Sequence, residues 1–265
     1  MFSKDSQLFL LYCGNSEGLA THLLSTIKIS MPKINVAVLD GEYCHNVVLP
    51  YVADDVTRVI AVSDIWGSRC IYKVLQTAML MGIKSIVLMP TALASKVRDS
   101  ISYESGDLDI VEIDSKIYRF TVLHTSIRLA LDIALDKVAR ISRLSRELDM
   151  ASVVEELVNK YSQDITRALS TDTDSIVAVS RALLPAGEEL MERGIEVVVL
   201  GRSMPKGKNI SMLAYTSAEE HTVNEYLVTL MREGVAVPKA KTIKLNTDPL
   251  TAPLYALIIF HSVLP

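Results

Sequence analysis

The turn after the third apolar run of the chain holds the residues best suited to bind an anion. It spans residues 63–69 (SDIWGSR) and joins the apolar run to an amphipathic segment. A helix N-terminus presents unpaired backbone N–H groups and a partial positive charge, which suit a phosphate group. Ser63 and Ser68 could add hydroxyl groups and Arg69 a cation. The alternative is that Ser63, Asp64 and Ser68 only cap the helix, and the sequence leaves both interpretations open.

A second turn of the same form follows the first apolar run. Residues 14–16 (GNS) come directly after residues 8–13 (LFLLYC). Gly14 permits close approach of the backbone to a ligand, and Asn15 or Ser16 can cap the helix that follows. Both turns contribute to the predicted substrate-binding set, which is Gly14, Asn15, Ser16, Ser63, Asp64, Gly67, Ser68 and Arg69.

Other known functional motifs are absent, or their residues have the wrong spacing. The loop at residues 201–209 (GRSMPKGKN) is one residue too long for a P-loop, and Asn209 replaces the hydroxyl that would bind magnesium. The five histidines are scattered without HExxH or Cys/His spacing, so no metal or cofactor is expected. There is no GxSxG motif, and no GxGxxG follows the first strand, which removes the main support for a hydrolase or a dinucleotide-binding protein.

The elements that position these turns are short apolar runs that alternate with amphipathic segments. The predicted strands are residues 8–13, 34–39, 58–63, 85–89, 109–113, 175–179, 196–200, 210–215 and 242–245. Strands separated by helices imply crossover connections and parallel sheets. Runs of Val, Ile and Leu are typical of strands covered by helices on both faces. Ligands bind such sheets outside the carboxyl ends of the strands, where both turns lie.

The repeat of this pattern predicts an α/β protein of two halves. Each half is expected to be a parallel sheet of about five strands between two layers of helices. Residues 1–115 form the first domain, residues 116–172 connecting helices, and residues 173–265 a second, shortened domain. The second half repeats the strand–helix order of the first, which we interpret as a structural duplication.

Composition narrows the possible partners and location. A net charge of -4 and a pI near 5.8 give no basic surface for nucleic acid. The longest apolar stretch, residues 252–264, is shorter than the roughly 20 residues that span a bilayer, so no membrane segment is expected. Cys13, Cys44 and Cys70 are unclustered, which argues against a disulfide scaffold and for a reducing, cytoplasmic location.

The order and spacing of the motifs resemble the sugar isomerase (SIS) domain family over almost the whole chain. That family includes the isomerase half of glucosamine-6-phosphate synthase and archaeal phosphoglucose/phosphomannose isomerases. Its first strand ends in a G-C-G-T-S-like turn, here residues 12–16 (YCGNS). A later strand ends in I-S-x-S-G-x-T, here residues 62–68 (VSDIWGS). The stretches 75–89 and 250–264 resemble a family helix and strand and the family's final helix.

The resemblance implies two parallel-sheet domains, a homodimer and a phosphosugar ligand. The phosphate would lie on hydroxyl and backbone N–H groups of the serine-rich turn, where Ser16, Ser63 and Ser68 match hydroxyl positions. Two positions depart from the pattern, because Ile65 replaces a serine and Trp66 replaces a glycine. No residue matches the family's catalytic glutamate.

Three functions therefore stay open. The first is a divergent SIS protein that binds a phosphosugar or a related carbohydrate derivative, with its catalysis unproven. The second is an active aldose–ketose isomerase, which needs a base to move a proton between C1 and C2. Candidates for that acid–base role are Glu17, Asp64, Glu219 and His221. The third is a structural or regulatory subunit without a ligand.

Overall fold

The chain divides into two compact units, Met1–Ile133 and Ala134–Pro265. The computed structural model describes residues 7–101, 107–134, 144–170, 175–202, 208–234 and 240–264. Within those ranges, no helix is long and apolar enough to cross a membrane.

The first unit contains a sheet of five parallel strands, all at positions predicted from apolar runs. The strands are β1 (Gln7–Cys13), β2 (Asn35–Asp40), β3 (Val56–Ser63), β4 (Lys84–Pro90) and β5 (Leu108–Ile113). Their order in the sheet is β2-β1-β3-β4-β5. The helices are α1 (Glu17–Ser30), α2 (Ser68–Leu80), α3 (Thr91–Ser100) and α4 (Tyr118–Ala134).

Both faces of this sheet are covered, as the continuous apolar strands predicted. Phe9, Leu11 and Cys13 point to a core shared with α2, α3 and residues 41–52. The alternating residue Leu8 faces α1 and α4, because successive side chains of a strand point to opposite sides. Between α1 and α4 lies an apolar cavity of about 460 Å³.

A helical segment that the sequence did not predict connects β2 to β3. It consists of the short helical turns Gly41–Tyr43, Cys44–Val48, Leu49–Val52 and Ala53–Asp55. The first turn begins at Asp40, whose side chain accepts a hydrogen bond from the Tyr43 N–H at 2.9 Å. Pro50 lies in the first turn of Leu49–Val52, where its missing N–H is not needed. The segment contains no long amphipathic stretch that would have indicated helix.

The second unit repeats the strand order of the first in a smaller sheet. Its strands are β6 (Ser175–Val179), β7 (Val197–Val199), β8 (Asn209–Thr216) and β9 (Lys241–Leu245). They are parallel, in the order β7-β6-β8-β9, which corresponds to β2-β1-β3-β4. The helices are α5 (Ala151–Ser170), α6 (Leu184–Glu192), α7 (Glu220–Arg232) and α8 (Ala252–Val263). The predicted two-sheet α/β fold is confirmed, with five and four strands.

The unclustered cysteines argued against a disulfide scaffold, but two of them are bonded to each other. Cys13 and Cys70 form a disulfide, with 2.09 Å between the two Sγ atoms. Cys13 ends β1, and Cys70 lies in the first turn of α2, directly after β3. Because β1 and β3 are neighbours in the sheet, the start of α2 comes close to the end of β1. The two cysteines are 57 residues apart in the sequence, so their spacing gave no indication of this contact. Cys44 is free and buried.

Burial of His22 makes the stability of the chain depend on pH. His22 lies on α1, is 6% exposed, and its Nε2 has no hydrogen-bond partner among the described residues. Burial lowers its pKa to about 4. In the unfolded chain the pKa is about 6.5, so the unfolded state binds the proton more readily below that pH. The free energy of unfolding should therefore fall by about 2 kcal/mol from pH 7 to pH 5 through this residue alone.

Replacement of His22 by glutamine should remove this contribution. We expect the His22→Gln variant to lose less stability between pH 7 and pH 5 than the unaltered chain, as measured by urea unfolding at each pH. The matched control is His221→Gln, because the His221 side chain is 85% exposed. An equal loss of stability in the unaltered chain and in His22→Gln would show that His22 is not the responsible group.

Candidate functional site

The two turns predicted to bind substrate lie side by side. Cys13, the last residue of β1, pairs with Ser63, the last residue of β3. The turn at residues 14–16 and the turn at residues 63–69 therefore leave the sheet at the same edge, at the carboxyl ends of adjacent strands. This is the edge at which open parallel sheets bind ligands.

The buried carboxylate of Asp64 ties these two turns together. Its Oδ1 accepts hydrogen bonds from the Trp66 N–H and the Gly67 N–H, both at 3.0 Å. Its Oδ2 accepts from the Asn15 N–H of the neighbouring turn at 2.8 Å. Asp64 is 0% exposed. The backbone N–H groups that suited a phosphate are thus already bonded to an anion that the chain itself provides.

Two glycines allow the turns to approach this closely. Gly14 has φ +69°, and a Cβ at this position would lie 2.0 Å from Asp64 Oδ1. A Cβ at Gly67 would lie 2.4 Å from Ser63 Oγ and 2.7 Å from the backbone carbonyl group of Cys13. Both positions therefore require glycine, the first for its backbone conformation as well as for space.

A buried arginine balances the charge of Asp64. Arg119 lies in the first turn of α4 and is 2% exposed, and its Nη2 lies 3.7 Å from Asp64 Oδ2. A buried carboxylate needs such a partner, because an uncompensated charge is costly in a protein interior. The sequence contained a signal that was missed. Arg119 precedes Leu123 and Ile127 by four and eight residues, so it lies on the apolar face of its helix.

The eight predicted site residues separate into a buried layer and an accessible layer. The buried residues are Ser16, Ser63, Asp64 and Gly67. In the described part of the chain, Ser16 Oγ has no hydrogen-bond partner. The accessible residues are Gly14, Asn15, Ser68 and Arg69. Ile65 and Trp66 also reach the surface, with 45% and 65% exposure. We call the accessible surface the strand-end rim, which comprises Gly14, Asn15, Ile65, Trp66, Ser68 and Arg69.

In the second unit, too, a carboxylate joins two strand-end turns by hydrogen bonds. Glu219 follows β8, as Asp64 follows β3. Its Oε1 accepts from the Ala182 N–H of the turn after β6 at 3.0 Å, and its Oε2 accepts from the Thr216 hydroxyl at 2.9 Å. Ser180 directly follows β6 and is buried, and its Oγ has no hydrogen-bond partner among the residues that the structure describes. The duplication of the fold therefore extends to the residues that join its strand-end turns.

The remaining acid–base candidates show no catalytic arrangement. His221 is exposed and lies 3.6 Å from Glu225 on its own helix. Glu17 lies in the first turn of α1, where a negative charge favours the helix dipole. Across the described ranges, no cluster of three or more His, Cys, Asp or Glu side chains could hold a metal ion.

The fold defines a class of protein, namely an α/β protein built from two parallel-sheet units, and the paired turns form a candidate site at the carboxyl ends of the strands. No family model and no curated protein matches the chain by sequence. Solved structures do match. A Salmonella typhimurium protein assigned provisionally as sugar-binding is similar at a TM-score of 0.65 and 13% identity, over 98% of this chain and 88% of that chain.

Two enzyme structures are similar over the same part of this chain. The C-terminal domain of glucosamine-fructose-6-phosphate aminotransferase from Francisella tularensis has a TM-score of 0.62 and 16% identity, covering 98% of this chain and 83% of that chain. Tagatose-6-phosphate ketose/aldose isomerase from Escherichia coli has a TM-score of 0.57 and 13% identity, with the same coverage of 98% and 83%. The chain thus has a divergent SIS-like fold, as the resemblance in sequence predicted.

Proposed function

We propose that the first unit binds a phosphosugar or a related carbohydrate derivative at the strand-end rim, without catalysing isomerisation. The observation that carries this proposal is the exposure of Trp66 beside Ser68 and Arg69 at the carboxyl ends of β1 and β3. Similarity in fold to a sugar-binding protein and to a sugar-phosphate isomerase supports the same ligand class.

The rim offers the three kinds of contact that such a ligand needs. The indole of Trp66 presents a flat apolar surface that can cover the C–H face of a sugar ring, while its N–H remains available to a hydroxyl group. Arg69 supplies a positive charge for a phosphate. Ser68 and the Asn15 side chain supply hydrogen bonds to sugar hydroxyls, which fix the orientation of the ring.

The burial and the hydrogen bonds of Asp64 favour a binding function over a catalytic one. Isomerisation of an aldose to a ketose needs a base within hydrogen-bond reach of the substrate carbon. Both carboxylate oxygens of Asp64 accept backbone hydrogen bonds, and the residue is fully buried. Ile65 and Trp66 add no acid–base group to the turn. The rim can therefore hold a sugar ring without a base placed to move its proton.

Thermal unfolding with candidate ligands tests the proposal. We expect fructose 6-phosphate, glucose 6-phosphate or glucosamine 6-phosphate to raise the melting temperature more than inorganic phosphate does. A ligand at about 100 times its Kd adds roughly 2.7 kcal/mol to stability. Trp66→Ala should abolish most of the selective shift. Tyr51→Ala is the control, because Tyr51 is 85% exposed and lies outside the rim.

Two outcomes would contradict the proposal. One is the absence of a selective shift with any of these sugar phosphates. The other is an equal shift in the unaltered chain and in Trp66→Ala. Conversion of the sugar phosphate during incubation would instead support the alternative of an active isomerase.

We further propose a homodimer, as the resemblance implies. Exposed apolar side chains on α4, Leu129 at 55% and Ile133 at 44%, support an association through this helix. A measurement of the molar mass in solution distinguishes a monomer from a dimer.

The cytoplasmic location stays a prediction. The Cys13–Cys70 disulfide argues against a cytoplasmic location outside hyperthermophiles, because reducing compartments keep most thiols reduced.

A further inference from the structure

A cleft lies between the start of α2 and the last turns of α3. Its volume is about 280 Å³. We call it the basic cleft, and its lining residues are Ser68, Arg69, Tyr72, Lys96, Val97 and Ser100. Ser68 and Arg69 also belong to the strand-end rim, so the cleft and the rim form one continuous surface.

Among the described residues, the two cations of the basic cleft have no acidic partner. No carboxylate in the described part of the chain lies within 4.0 Å of the Arg69 guanidinium or the Lys96 ammonium group. Other cations on the same two helices do face an acid. Lys73 on α2 lies 4.0 Å from Glu42, and Arg98 on α3 forms an ion pair with Glu112. A pair of unbalanced cations in a concave surface produces a local positive potential that attracts an anion.

Hydroxyl groups complete the cleft as a binding site for an oxyanion. The Tyr72 hydroxyl accepts a hydrogen bond from Gln76 Nε2 at 2.7 Å, which leaves its own proton to donate. The Ser68 hydroxyl is exposed at the edge shared with the rim. Two cations and two hydroxyl donors can together bond the several oxygens of a phosphate group.

The contacts of Asp64 explain why a phosphate would bind in the cleft and not at the backbone N–H groups of the two turns. The N–H groups of Asn15, Trp66 and Gly67 are bonded to the Asp64 carboxylate. A phosphate that approached them would meet a like charge and donors that are already engaged. The side chains of Arg69 and Lys96 are not bonded to Asp64, and among the described residues they have no such competitor.

We propose that the basic cleft binds the phosphate group of the ligand between Arg69 and Lys96, while the sugar ring lies on the strand-end rim. The inference rests on the proposed function and adds to it the position of the phosphate. It assigns Lys96, which no motif of the sequence indicated, as a residue that distinguishes a sugar phosphate from the free sugar.

Fluorescence titration tests this directly, because Trp66 is the single tryptophan of the chain and lies on the rim. Glucose 6-phosphate, glucose and inorganic phosphate are titrated separately. We expect Lys96→Ala and Arg69→Ala each to weaken binding of glucose 6-phosphate about 10-fold or more, since a hydrogen bond to a charged group is lost. Binding of glucose should stay the same. Lys96→Arg, which keeps the charge, should restore most of the affinity.

The control variant is Arg98→Ala, which removes a cation from the same helix but outside the cleft. It should change the Kd for glucose 6-phosphate less than 2-fold. Equal affinity of Lys96→Ala and the unaltered chain for glucose 6-phosphate would overturn the inference and leave the proposed function standing. Binding of inorganic phosphate that Lys96→Ala weakens, with no binding of either sugar, would support the cleft and overturn the proposed function. Absence of binding for all three ligands would overturn both.

Discussion

Reduction of the Cys13–Cys70 disulfide is expected to lower the free energy of unfolding by roughly 4 kcal/mol. The bond closes a loop with a sequence separation of 57 residues, and loss of that constraint increases the entropy of the unfolded chain. For a unit of this size, the melting temperature should fall by about 15 °C. Thermal unfolding followed by circular dichroism, with and without a reductant, measures the difference.

Cysteine variants show whether this bond is the cause. The double variant Cys13→Ala with Cys70→Ala should be as unstable as the reduced chain, and a reductant should not affect it further. Cys44→Ala keeps the disulfide and should remain sensitive to reductant. Three free thiols in the unfolded, unreduced chain would show that the bond does not form.

Loss of the Asp64 carboxylate is the second large effect that we expect. Asp64→Ala should destabilise the first unit by about 3–5 kcal/mol, because three backbone N–H groups and the Arg119 guanidinium lose their common acceptor or counter-charge in a buried place. Urea unfolding of Asp64→Ala and of the unaltered chain measures the difference. A loss below 1 kcal/mol would mean that these bonds contribute little.

A small carboxylate should restore part of this stability. The space that Asp64→Ala leaves has the size of one carboxylate group and is lined by N–H donors. Formate should therefore raise the melting temperature of Asp64→Ala more than chloride at the same ionic strength, and should have no such effect on the unaltered chain. If Asp64→Ala does not fold, the loss of stability in Asp64→Asn, which keeps one acceptor oxygen but leaves no space for formate, provides a milder test. No selective effect of formate on Asp64→Ala would contradict the role of Asp64 as an internal anion.

The strands could be predicted from the sequence in much more detail than the contacts within the site. Apolar runs such as residues 8–13 indicated β1 because a strand buried on both faces leaves a continuous apolar signal in the sequence. Parallel topology brings the carboxyl ends of strands to one edge, so the sequence predicted that both turns lie at that edge. The structure adds that β1 and β3 are neighbours, with Cys13 paired to Ser63.

What fills the space between the turns could not be predicted, because it depends on tertiary contacts. Asp64 was a plausible helix cap, a ligand-binding residue or a base, and only the approach of Asn15, 49 residues away, shows which partner it has. The same holds for Cys70 and for Arg119, whose contacts with Cys13 and Asp64 join distant parts of the chain. Periodicity reports which face of an element is buried but does not identify the atoms that it meets.

The hydrogen bonds of Asp64 also determine how much of the backbone must become ordered when a ligand binds. The N–H groups of Asn15 and Gly67 have their acceptor before any ligand arrives, so the backbone of the rim is fixed in the free protein. Their amide hydrogens should therefore exchange slowly with solvent even without a sugar. A ligand then meets a rigid surface and loses little affinity to ordering of the protein. Side chains such as Trp66 and Arg69 are what remains to be immobilised on binding.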